Sequence, residues 1–218
     1  MKIEQIKVYL QSEDSQDRLK ALTELRNYGA EVAVPLLKSR IRDREFLVRS
    51  FVAMGLGKKQ TAESFAALLE LIQFDPDPNV RAEAANSLSL YGEVAAPHIV
   101  ALFHRDSHWL IRRSIIAALF ELNCPEELFD VCISGLGGED FTVREVCVDG
   151  LGFLADSVKH GAALERLLTL VDHPSWRIRV RVAKGLNQFQ EQSAQDALNQ
   201  LRQDPDHRVV GAVLDGLI

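Results

Sequence analysis

Cysteine is scarce and odd in number: Cys124, Cys132 and Cys147 are the only 3 in 218 residues, and no CxxC spacing occurs among them. That excludes a disulfide framework and a structural zinc site, so reduced thiols are expected. No apolar run approaches the roughly 20 residues needed to cross a bilayer. Met1-Lys2-Ile3-Glu4-Gln5 lacks the basic, apolar and small-residue segments of a secretory leader, and an intracellular, cytoplasmic protein is expected. Basic residues are outnumbered, 25 Lys and Arg against 31 Asp and Glu, for a net charge of −6. Such a field repels polyanions and disfavours nucleic acid as a partner. No phosphate-cradling glycine loop, Ser-His-Asp arrangement or carboxylate pair stands out. No Pro/Gly/Ser linker divides the chain, so one elongated domain over residues 1–218 is expected.

What is present is a repeat. Leu25, Leu56, Leu88, Leu119, Leu151, Leu186 and Leu217 fall 31, 32, 31, 32, 35 and 31 residues apart. Seven positions before each stands Arg18, Arg49, Arg81, Arg112, Arg144 and Arg179, with Val210 as the exception. Two columns in one register describe a helical-repeat array, with units at about 1–29, 30–60, 61–92, 93–123, 124–156, 157–190 and 191–218.

The third unit shows the plan. Thr61 to Gln73 carries Phe65, Leu68, Leu69 and Ile72 at helical spacing, and Asp75-Pro76-Asp77-Pro78 ends that helix A. From Asn79 a helix B resumes with Val80, Ala84 and Leu88 on one stripe and Gly92 as its stop. Counted from the arginine, position −1 is Val48, Val80, Ile111, Val143, Ile178 and Val209, and position +3 is Ala21, Val52, Ala84, Ile115, Cys147, Val182 and Val213. Positions −1, +3 and +7 share one face, which must be buried by helix A and by neighbouring units. Position −6 is Asp43, Asp75, Asp106 and Asp204, expected to serve the interhelical turn and the N-cap of helix B. The arginine column reads either as an anion-binding strip or, as the spacing favours, as a ladder to turn carboxylates and carbonyls. Glu31-Val32-Ala33-Val34-Pro35 and Glu93-Val94-Ala95-Ala96-Pro97 are the same word, expected to open helices A with Pro in the first turn. Asp156 to Gly161 reads as an insertion that loosens the link between units five and six.

An interhelical Asp, then Val-Arg, then Leu-Gly at +7 and +8, as in Asp43, Val48-Arg49 and Leu56-Gly57, or Val143-Arg144 and Leu151-Gly152, resembles the HEAT-repeat family over essentially the whole chain. The short period and the Glu-Val-Ala-x-Pro opening are similar to the phycobilisome-lyase HEAT-like branch, which includes phycobilin lyase subunits and a related cyanobacterial phycobilisome-degradation protein. The resemblance implies an all-α, right-handed solenoid of about seven two-helix repeats. It also implies a non-catalytic interaction scaffold for a phycobiliprotein or a second HEAT-repeat subunit, with no cofactor. The alternative it implies is a bilin lyase or lyase subunit, with phycocyanobilin or another bilin as ligand. Deoxyhypusine hydroxylase, another HEAT-like enzyme, holds iron with His-Glu dipeptides; none of the 6 histidines here is followed by Glu. His104 and His108 stand four apart, but Asp106-Ser107 makes that stretch a turn, and no metal site is expected.

Opposite the apolar stripe, positions +1, +5 and +8, with +2 and +9 beside them, are expected to line the concave side of the array. They include Phe51, Met54, Lys58 and Leu90, then Arg113, Ala117 and Phe120, then Glu145, Asp149 and Phe153, and Arg181 and Lys184. Large apolar residues there suit a protein partner or a tetrapyrrole, although Phe120 and Phe153 equally read as filling gaps between helices B. Position −3 holds Phe46, Trp109, Phe141 and Trp176, either interface anchors on the rim or staples of the interhelical turn. Arg112 and Arg113 beside Trp109, and Arg177, Arg179 and Arg181 beside Trp176, form basic-aromatic spots that could receive acidic groups. Cys132 and Cys147 read as core residues, and Cys124, beside Pro125, as the more exposed thiol.

Overall fold

A computed structural model describes residues 1–217, the last by its backbone alone, so the side chain of Leu217, the final repeat leucine, lies outside the described residues. Every described repeat is a helical hairpin. In chain order the helices A are α1 (Ile3–Leu10), α3 (Ala30–Lys38), α5 (Ala62–Phe74), α7 (Ala96–Arg105), α9 (Pro125–Leu136), α11 (His160–Leu168) and α13 (Gln192–Leu201). The helices B are α2 (Ser15–Glu24), α4 (Phe46–Lys59), α6 (Pro78–Ser89), α8 (Trp109–Leu122), α10 (Phe141–Phe153), α12 (Trp176–Leu186) and α14 (His207–Leu214). No strand occurs among the described residues.

Contacts group the chain into two compact units, one over Met1–Leu122 and one from Asn123 onward. In the first, α4 lies between α2 and α6, and α6 between α4 and α8, while α3, α5 and α7 follow one another behind them. In the second, α12 lies between α10 and α14, with α9, α11 and α13 as the helices A. Each unit is thus an α-solenoid stack whose core runs between its two helix layers. The −1 and +7 columns supply it: Val48, Val80, Ile111, Leu56, Leu88 and Leu119 are fully buried in the first unit, as are Leu151 and Leu186 in the second. Each such side chain contributes about 1.5–3 kcal/mol of transfer free energy, obtained only through the neighbouring hairpin.

The arginine column is a ladder, and its rungs join successive repeats. Arg18 Nη2 donates to Asp43 Oδ1 at 2.9 Å. Arg49 grips Asp75 through Nε (2.6 Å) and Nη2 (2.9 Å), Arg81 reaches Asp106 at 2.8 Å, and Arg179 holds Asp204 at 2.7 and 2.9 Å. The same guanidinium also donates to the carbonyl at −6 of its own repeat, as Arg18 does to Ser12, Arg49 to Asp43, Arg81 to Asp75, Arg112 to Asp106 and Arg179 to His173. One side chain therefore closes its own turn and ties it to the next, by the planar two-pronged geometry that only arginine offers.

Position −6 is not the N-cap. Its side chain accepts the backbone N–H two residues on, in Ser12, Asp43, Asp75, Asp106, His173 and Asp204 alike, which leaves the carboxylates able to take the arginine of the preceding repeat. The caps sit at −4: Asp14, Asp77, Asp140 and Asp206 accept from the first turn of helix B, and His108 Nδ1 does so for Leu110. The twin Glu-Val-Ala words also differ. Pro97 lies in the first turn of α7, but Pro35 lies inside α3, because Gly29 caps that helix directly, whereas Gly92 (φ +79°) turns into a short 3₁₀ segment, Gly92–Ala95. Gly92 accordingly stands beyond the end of α6 at Ser89 rather than at its stop. Asp156 to Gly161 opens with the 3₁₀ turn Leu154–Asp156 and runs into α11.

Candidate functional site

Position −3 is the first residue of every helix B, from Ser15 and Phe46 through Trp109, Phe141, Trp176 and His207. Trp109 is 41% exposed and stacks on His108 at 6.1 Å. Trp176 is half-buried, with the Arg208 guanidinium 3.3 Å from its ring centre and Arg177 at 5.0 Å. Of the two tryptophans, Trp109 presents the more open ring.

Along α4, Leu47, Phe51, Met54 and Lys58 form one stripe at helical spacing, opposite the buried Val48, Val52 and Leu56. Met54 is exposed and Phe51 half-buried, and both line a cavity of about 290 Å³ with Leu22 and Leu25 from α2 and the turn after it, and Leu37 from α3. Gly55 lets the Leu37 side chain lie against α4: a Cβ there would stand 2.6 Å from Leu37 Cδ2. Arg26, Lys58 and Lys59 form the rim. Leu90, at +9 and just past the end of α6, is 51% exposed.

Position +8, expected to face outward, instead lies where helices B touch. A Cβ on Gly57 would meet Ser87 O at 2.9 Å, and one on Gly152 would meet Gly185 Cα at 2.8 Å, so the Leu-Gly word exists to let consecutive helices B close up. Phe120, at the same position, is half-buried, while Phe153 at +9 is 56% exposed. Arg113 on α8 is exposed.

In the second unit the structure brings Asp149 and Arg181 into an ion pair, with Glu145 Oε2 3.3 Å from Arg181 Nη2. Burial pushes the Asp149 carboxyl up, against the hydrogen bond from Arg181 and the charges of Arg181 and exposed Lys184. Two of the three arginines of the basic-aromatic spot near Trp176 are thus paired within the chain: Arg179 holds Asp204 and Arg181 holds Asp149. Cys124 is buried like Cys132 and Cys147, at the N-cap of α9, which removes the more exposed thiol expected from its place beside Pro125. The hydrogen bond with the Cys147 thiol, and then burial, push the Cys132 thiol up from its usual value. Among the described residues no group of His, Cys, Asp and Glu could hold a metal ion, and no helix is long and apolar enough to cross a membrane.

Sequence reasoning found Phe51, Met54 and Lys58 from periodicity but missed Arg26 and Lys59 as a rim, since Arg26 lies in the 3₁₀ turn Leu25–Asn27, outside the helical register.

The family model for HEAT repeats matches residues 3–73, 40–119 and 129–218. Comparison by sequence with characterised proteins finds no match. Among solved structures the chain is similar to the complex of CpcE and CpcF of phycocyanin lyase from Nostoc sp. PCC7120, at 19% identity and TM-score 0.55 over 100% of this chain and 87% of that one. It is similar to human deoxyhypusine hydroxylase in complex with glycerol, at 18% identity and TM-score 0.50 over 99% and 95%. It is also similar to a chain of the Kap95p and RanGDP structure, at 14% identity and TM-score 0.63, over 99% of this chain but 35% of that one. At these identities the likeness is one of fold.

Proposed function

The chain belongs to the HEAT-repeat family, and from that premise we propose that it is a non-catalytic protein-interaction scaffold whose helix-B side holds a protein partner, the partner being a phycobiliprotein. The observation that carries this reading is a set of solvent-exposed large apolar side chains on the helix-B layer of the first unit: Leu47 and Met54 on α4, Leu90 just past the end of α6, and Trp109 at the start of α8. Exposed large apolar groups on one helix layer are what an interface core uses. Likeness to a phycocyanin lyase complex built from CpcE and CpcF favours the phycobiliprotein, and extends the partner set to a second HEAT-repeat subunit.

Sedimentation velocity of the purified chain with purified phycocyanin tests it. A complex at micromolar concentrations that Leu90→Asp weakens at least about tenfold supports the reading; independent sedimentation of both proteins contradicts it. The same likeness favours a second reading, a bilin lyase subunit. Phycocyanobilin mixed with the chain then gives a shifted, intensified visible band, whereas the absorbance of free bilin leaves the scaffold alone.

A further inference from the structure

The cavity between α2, α3 and α4 has a chemistry of its own. At about 290 Å³ it lies at the bottom of the roughly 300–1,000 Å³ range of small-molecule sites. That is room for one large side chain, not for a tetrapyrrole. Its floor is the apolar trio Leu22, Leu25 and Leu37, and its wall is Phe51 and Met54. Methionine in such a wall adapts to aromatic and aliphatic guests alike.

The rim is of one sign. Arg26, Lys58 and Lys59 carry three positive charges, and none of the described lining residues carries a carboxylate. The acid nearest in sequence, Glu24, is tied to the N-terminal amine at 2.7 Å. Lys59 Nζ is anchored on the Arg26 and Tyr28 carbonyls, while Arg26 and Lys58 extend into solvent. In a chain of net charge −6, an apolar hole ringed by cations is a local inversion of the field.

We propose that this pocket seats a single large apolar side chain of an acidic segment of the protein partner, with the flanking carboxylates on Arg26 and Lys58. The proposal rests on the scaffold reading and names the chemistry of what the scaffold grips. Size selects the anchor, and charge selects its neighbours.

The probe is a fluorescein-labelled heptapeptide with a central tryptophan between acidic triplets, followed by anisotropy at low salt. Saturable binding is expected, weakened by salt because the rim is exposed. Replacing the tryptophan by alanine is expected to weaken binding about tenfold or more. The double variant Arg26→Glu, Lys58→Glu is expected to lose the acidic peptide and gain its lysine-flanked counterpart; both side chains are exposed, and a circular-dichroism melt matching the parent establishes that the fold is kept. Absence of binding, equal binding of the tryptophan and alanine peptides, or indifference to charge reversal overturns the proposal. If the peptide fails while phycocyanin still binds the chain, the pocket assignment falls and the scaffold reading stands; if neither binds, both fall.

Discussion

Arg49 and Asp75 show what one residue does in this fold. Both are buried, and the acid's Oδ1 also accepts the Asp77 N–H, so three groups depend on one carboxylate. Removing one member of a buried pair strands the other's charge, whereas an exposed pair is worth about 0–1 kcal/mol. Asp75→Asn, which keeps the turn acceptor, is expected to cost about 3 kcal/mol in urea unfolding, while Glu70→Gln, which removes the exposed partner of Arg42, changes stability by less than about 1 kcal/mol. Equal effects would mean that the ladder is ornamental. The pairing was readable in outline from the repeating arginine. That it reaches the aspartate of the next repeat depends on stacking, which no single-helix pattern encodes.

The element repeated is a hairpin with a recurring turn grammar, an acceptor at −6, a cap at −4, a first residue at −3 and an arginine at zero, from which Gly138 at −6, Glu45 and Ser175 at −4 and Val210 at zero depart. Helix B was legible in register because each column recurs. Helix A was less so, as the twin words at Glu31 and Glu93 show, because the glycine before each adopts a different backbone conformation. The grammar breaks at repeat five, where Gly138 stands at −6, and in another way at repeat six. His173 stands where four other repeats have Asp; its Nδ1 takes the Ser175 N–H, burial and the charges of Arg144 and Arg179 hold its pKa down, and Arg144 Nε is buried without an acceptor. His173→Asp restores the rung and is expected to raise stability by about 1 kcal/mol, read as a melting temperature higher by about 2–4 °C. An unchanged or lower value contradicts the grammar at this step.

At the scale of the molecule, titrating links set the pH range of stability. Asp204 is held below its usual value by Arg179, so its contribution is complete above about pH 4 and is lost as pH falls. His160 is raised by the Ala155 carbonyl and Glu191, so its contribution is complete below about pH 6.5 and is lost as pH rises through the raised value. The melting temperature is expected to be highest between about pH 5 and 6.5, and His160→Gln to flatten the alkaline side alone; a variant profile parallel to the parent's would refute the assignment. Little of the candidate site could be read in advance, since Phe51 and Met54 gain their pocket only when α2 and α3 close on α4, and Arg181 loses its availability only when α10 supplies Asp149. What the helix-B side does is best measured by photo-crosslinking to phycocyanin, with the photoreactive residue placed in turn at Met54, Leu90, Phe74 and Val158, all exposed. Adducts from Met54, on α4, and Leu90, at the C-terminal end of α6, and none from Phe74 or Val158 are the expected result. Adducts from Phe74 or Val158 without those from Met54 and Leu90 would contradict it.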